Sequence, residues 1–147
     1  MYATLVVFHI IFASIWIGGH ILLLLRVLPK ALKEKNPKII LEFEASYETI
    51  GIPSLILQII SGILLFTLRV ESISELFDWT NFYGRHLILK LFLLLLTIAL
   101  AIHARFRILP NLKEKNMILL GLHIFAVTLL SIGFALVGVS LRFNLFY

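Results

Sequence analysis

Residues 5–28 read LVVFHIIFASIWIGGHILLLLRVL, a run in which Arg26 is the single residue of fixed charge. At about 1.5 Å of rise per residue, such a stretch crosses the roughly 30 Å hydrocarbon core of a bilayer as a helix. Three more runs of this kind follow, at about Ile50 to Val70, His86 to His103 and Met117 to Leu141. Lipid offers the backbone no hydrogen-bond partners, so a spanning segment must satisfy its own peptide groups, as a helix does. The chain is read as all-α, an integral-membrane four-helix bundle forming a single domain over residues 1–147. Composition agrees: 61% of the residues are hydrophobic, 14% are charged and the mean hydropathy is +1.04, too apolar for a soluble domain to cover with polar surface.

The first run opens Met1-Tyr2-Ala3-Thr4, without the basic start or small-residue cleavage site of a signal peptide, and is read as an uncleaved first helix. The absence of cysteine excludes disulfides, iron–sulfur clusters and thiolate sites and leaves the redox compartment open. A formal charge of +5 invites a nucleic-acid reading, but the basic residues fall between spans and not along one soluble face. The first connection holds Arg26, Lys30, Lys33, Lys35 and Lys38, and the third holds Arg105, Arg107, Lys113 and Lys115. The middle one sets Glu71, Glu75 and Asp78 against Arg69 and Arg85. By the positive-inside rule the first and third connections face the cytoplasm and both termini are non-cytoplasmic, in a multi-pass inner-membrane protein.

The two basic connections echo one another. Arg26-Val27-Leu28-Pro29 followed by Leu32-Lys33-Glu34-Lys35-Asn36 reappears as Arg107-Ile108-Leu109-Pro110 followed by Leu112-Lys113-Glu114-Lys115-Asn116. Each leaves an odd-numbered span and enters an even-numbered one. The pattern resembles a duplicated helical hairpin in parallel orientation, the alternative being two proline-stopped basic loops alike without shared origin. In the second span, Gly51, Ser54, Gln58, Ser61 and Gly62 recur at spacings of three and four, so one helical face is small and weakly polar and should point into the bundle. On that face Gln58 reads first as packing and second as a hydrogen-bond partner to a ligand.

All five histidines, His9, His20, His86, His103 and His123, lie inside or at the ends of the apolar runs. Ionisable groups are costly in hydrocarbon, so a set of this size points to bound metal or haem. His9 and His20 fall within about 20° of one azimuth and about 16 Å apart along the first helix. His20 lies about 9 Å before Arg26 and His103 about 6 Å before Arg107, and with His123 they form an inner layer; His9 and His86 form an outer one. Imidazoles from facing helices suit haem b. The expected inner haem is ligated by His20 with His103 or His123, and an outer one, if present, by His9 and His86. Arg26, Arg105 and Arg107 would serve the inner propionates, and Arg85 and Lys90 the outer, with Lys90 able to snorkel. Trp16 lies on the histidine stripe; it and Tyr83 read as packing and interface anchoring before cofactor contact. Copper competes, since imidazole suits it too, and three inner imidazoles could hold an ion. The eight acidic residues all fall in the expected connections, and no Gly-x-Ser-x-Gly elbow or phosphate loop appears, which removes hydrolase and nucleotide chemistry.

His9 followed by Trp16 and Gly18-Gly19, Ser61-Gly62 late in the second run, and Tyr83-Gly84 with Leu87 and Lys90 opening the third together resemble the CopD-type membrane domain, named for copper resistance. A more distant resemblance is to HemJ-type protoporphyrinogen oxidases, which share the His-to-Trp-to-Gly spacing and a lysine early in the third helix. The first resemblance implies copper movement into the cytoplasm; the second implies haem b and porphyrinogen oxidation. Both single out His9 and Lys90. His20, Arg26 and His123 make a richer set than simple CopD domains show, and the interval from Lys90 to His103 exceeds that expected of HemJ. The leading expectation is a b-type cytochrome with one or two haems, passing electrons to a redox partner protein or a quinone. Copper uptake and porphyrinogen oxidation are the alternatives. Homodimers, or a place as subunit of a larger membrane complex, are both compatible with so small a bundle.

Overall fold

Residues 1–69 and 81–143 are described by the computed structural model, without the side chains of Arg142 and Phe143. Glu71, Glu75 and Asp78, and the expected end of the second span at Val70, lie outside the described residues.

The first rod runs as α1 (Tyr2–Leu22), a π-helical turn (Leu23–Val27) and α2 (Leu28–Glu34). Pro29 explains the change of winding. It has no N–H for the carbonyl four residues back, and its ring crowds that carbonyl. The wider turn absorbs the misfit, with the Leu28 N–H reaching the Leu23 carbonyl. α2 closes on Lys35 in the left-handed region, φ 52°, with the Asn36 N–H on the Ala31 carbonyl at 3.0 Å. Asn36 Oδ1 then accepts the Lys38 N–H at 3.1 Å and starts α3 (Lys38–Thr67).

The start of α3 corrects one expectation. Hydropathy stops at Ile50, but glutamate is a strong helix former and the helix continues beyond the apolar window. Glu42, Glu44 and Glu48 therefore ride on a helix and not in a connection.

α4 (Phe82–His103) is capped by Asn81, whose Oδ1 accepts the N–H groups of Tyr83 and Gly84. It passes into a second π turn (Ala104–Ile108), closed by the Leu109 N–H on the Ala104 carbonyl just before Pro110. α5 (Met117–Phe143) completes the four candidate spans. The two π turns stand in the same register to Pro29 and Pro110, so the sequence echo is also an echo of backbone geometry. That register superposes His9 on Lys90.

α1 packs along α3, α4 along α5, and α1 also meets α5; α3 and α4 hardly touch. Repeat symmetry would pair α3 with α4 as it pairs α1 with α5, so among the described residues the bundle is open between α3 and α4. Leu23, Leu28, Ala31, Ile40, Ile108, Met117, Leu120 and Ile124 form an apolar core near the two basic connections, here called the basic end. Elsewhere small hydroxyl residues fill the helix contacts, as expected where close backbone approach replaces hydrophobic drive. Thr97, Thr128 and Ser131 are buried and return their hydroxyls to the carbonyls of Leu93, Ile124 and Val127 at 2.7–2.9 Å. Phe8, Ile56, Leu95 and Leu136 are among many large apolar side chains left outside, facing lipid. The protein is a multi-pass membrane protein in contact with the bilayer.

Candidate functional site

Away from the basic end, each hairpin is tied by one histidine–serine bond. His9 Nδ1 lies 2.9 Å from Ser61 Oγ, whose own hydroxyl donates to the Gln58 carbonyl at 3.0 Å. The serine oxygen must then accept from His9 Nδ1–H, which makes Nε2 the lone-pair nitrogen. Gly62 leaves room for this ring, since a methyl there would stand 3.2 Å from His9 Cε1. In the other hairpin His86 donates through Nδ1 to the Phe82 carbonyl at 2.8 Å and accepts from Ser140 at Nε2, 3.0 Å away. His86 is buried with both nitrogens engaged. The His9–His86 pairing expected of an outer haem is not formed, because each ring is bound to the neighbouring span of its own hairpin. Half-buried Lys90 lies 3.9 Å from the position of a Cβ on Gly138 and within electrostatic reach of His9. Gln58 Oε1 is buried with no hydrogen-bond partner among the described residues.

Towards the basic end, Trp16 is buried, and its carbonyl accepts from His20 Nδ1–H at 2.9 Å. The rings of Trp16 and His20 lie 4.4 Å apart, and Tyr47 meets His20 edge-on at 5.9 Å. Tyr47 divides its hydroxyl between the Trp16 and Ile15 carbonyls at 3.1 and 3.2 Å. The fixed Nδ1–H of His20 again leaves Nε2 as the acceptor nitrogen.

His103 and His123 form the direct imidazole contact. Nδ1 of His123 donates to the Leu119 carbonyl at 3.0 Å, so its Nε2 must accept, and His103 Nδ1 stands 2.8 Å from it. The ring centroids lie 4.9 Å apart and the ring planes differ by 19°. A haem would need its two imidazoles on opposite faces of a macrocycle, whereas here a single proton separates the nitrogens. The expected pairing of His20 with His103 or His123 thus gives way to a pairing of the latter two. The three-imidazole copper site is not assembled either: among the described residues no three His, Asp or Glu side chains gather closely enough to hold one ion.

The expected propionate cations are dispersed. Arg26 and Arg107 project, exposed, from the two π turns, and Arg85 is exposed on the first turn of α4. Arg105 crosses between hairpins to Glu48. It does so on the wall of a cavity of about 320 Å³ that also takes in Trp16, His20, Glu44, Tyr47 and His123. Glu44, Tyr47 and Glu48 were missed by sequence reasoning. The signal was present, since positions 44, 47, 48 and 51 continue the three-and-four spacing of the Gly51 to Ser61 face.

What this arrangement offers is nitrogen ligation of low coordination number, beside a cavity carrying carboxylates. No curated protein and no solved structure matches the chain. A family model, copper resistance protein D, matches residues 41–141, which contain His86, Lys90, Arg105 and the His103–His123 pair. With most of its length matched, this chain belongs to the CopD family.

Proposed function

We propose that this protein carries copper across the membrane that its helices span, the ion moving in its reduced state between imidazoles. The observation that supports this most directly is the His103–His123 contact at 2.8 Å. Imidazole nitrogen suits copper, and the reduced ion, closed-shell and monovalent, is satisfied by two nitrogens in line. With metal–nitrogen bonds of about 2 Å the nitrogens need about 4 Å between them. Rotation of two side chains that reach the protein surface supplies that widening, and the ion then takes the place of the shared proton, which moves to Nε2 of His103. The family description, copper resistance protein D, agrees with this reading. With the basic connections in the cytoplasm, as the positive-inside rule expects, the pair stands towards the cytoplasmic side, and uptake is the direction that the resemblance to CopD implies.

Haem b with electron transfer, and porphyrinogen oxidation, have no comparable feature behind them: of the expected axial pairs, His86 has both nitrogens engaged and His103 is joined to His123. Purified protein should bind copper(I) under reducing conditions and give no Soret band with or without dithionite. His103→Ala should lose an ion and lower copper accumulation in cells. A Soret band that disappears in His20→Ala, or copper content equal in parent and His103→Ala/His123→Ala protein, overturns the proposal.

A further inference from the structure

The opening between α3 and α4 is the place where the bundle departs from its own repeat, and the 320 Å³ cavity lies there. Much of its wall is aliphatic, including Leu23, Ile52, Leu100 and Ile124. Into this apolar space the helices bring two carboxylates, Glu44 and Glu48, and one guanidinium, Arg105. Arg105 is bonded to Glu48. Glu44 has no hydrogen bond or ion pair among the described residues; it lies within electrostatic reach of Glu48 and, with the opposite sign, of Arg105. With Glu44 ionised, the cavity would carry one net negative charge. A half-buried carboxylate among aliphatic side chains is costly to desolvate unless a proton or a cation joins it. His20 adds a neutral imidazole whose Nδ1 is committed to Trp16, so that its Nε2 is available as a donor to an ion. His123 belongs both to this wall and to the pair with His103.

We propose that the cavity is a cation-loading vestibule, holding a monovalent closed-shell metal ion at Glu44 and His20 before it passes through His123 to the pair. This rests on the copper reading above and adds a second station to it. Glu44 supplies the attraction that draws a cation into an apolar space, and His20 supplies the nitrogen ligand. The shared His123 makes transfer between stations a ligand exchange and not a release into solvent.

Silver(I), a redox-silent stand-in for copper(I), tests this through Trp16, which lines the cavity beside His20. The chain has two tryptophans, so a Trp79→Phe background leaves Trp16 as the reporter. Silver should quench its emission saturably. Glu44→Gln, which keeps the side chain's shape, should raise the half-saturating concentration by about tenfold or more, the scale of losing one charge–charge contact. His103→Ala should lower the number of bound ions while leaving the quenching in place. Quenching that titrates alike in parent and Glu44→Gln, or that needs His103, overturns the vestibule. Silver content unchanged in His103→Ala/His123→Ala protein sinks the pair instead. Helical circular dichroism that is the same in every variant confines either result to the site.

Discussion

The ring of Tyr47 occupies the space that a side chain at Gly19 would fill. Gly51 completes the slot from the ring's own helix, where a methyl would stand 2.6 Å from Cε1. The glycines let α1 and α3 close on an aromatic ring, and the ring positions His20 edge-on and reaches the carbonyls of Trp16 and Ile15. Gly19→Ala should therefore destabilise the protein by about 1–3 kcal/mol through overpacking. Tyr47→Phe, which loses only the hydroxyl, should cost about 0.5–1.5 kcal/mol. Thermal unfolding in detergent, followed by circular dichroism, ranks them. A Gly19→Ala protein as stable as the parent would mean the ring does not sit there.

The His86–Ser140 bond is buried on both sides, with Ser140 1% exposed. Ser140→Ala removes the donor and leaves Nε2 of a buried imidazole unsatisfied, a loss of about 1–3 kcal/mol. His86→Leu/Ser140→Ala, with both polar partners gone, should recover much of that loss. A double variant less stable than Ser140→Ala would assign His86 a role beyond tying α4 to α5.

Much of the fold is legible in the sequence because lipid imposes it. Runs of about twenty apolar residues fix where helices must be, and the Arg-x-Leu-Pro echo anticipates two matching backbone distortions. Hydropathy, however, marks the part of a helix that needs lipid and not the part that merely continues. It therefore leaves Glu44 and Glu48 in a connection, although their spacing from Gly51 already puts them on its face. Distance along each helix sorts the histidines by depth, but partnership depends on azimuth, and in four tilted rods azimuth follows from packing. His103 and His123 flank one short connection between antiparallel helices, which is why they meet, while His20 is turned by the Trp16 carbonyl towards the cavity.

An ion bound by the His103–His123 pair displaces the hydrogen now shared by the two nitrogens, which moves to Nε2 of the neutral His103 ring, so binding should release no net proton. Calorimetric titration of copper(I) in two buffers of unlike ionisation enthalpy measures it. At a pH where both rings are neutral the heats should agree between the two buffers. Because both nitrogens must ligate together, His103→Ala, His123→Ala and the double variant should lose the same single site. Buffer-dependent heats, or losses that add across the two positions, argue against shared ligation by two neutral rings.

The Arg105–Glu48 pair separates stability from cavity charge. Arg105 and Glu48 side chains are 57% and 28% exposed, so their attraction is screened and contributes less than about 1 kcal/mol to folding. Their charges nevertheless face the cavity that Glu44 lines. Arg105→Gln removes the cation that offsets the carboxylates and should tighten silver binding there severalfold. Glu48→Gln leaves Arg105 opposing Glu44 and should weaken it. The double variant restores the parental balance and should bind as the parent does, although the ion pair is gone. Trp16 quenching orders the four proteins, and unfolding temperatures should hardly move. If both single variants weaken binding and the double variant is weakest, the pair serves as a structural tie between the hairpins, and charge in the cavity does not govern the ion.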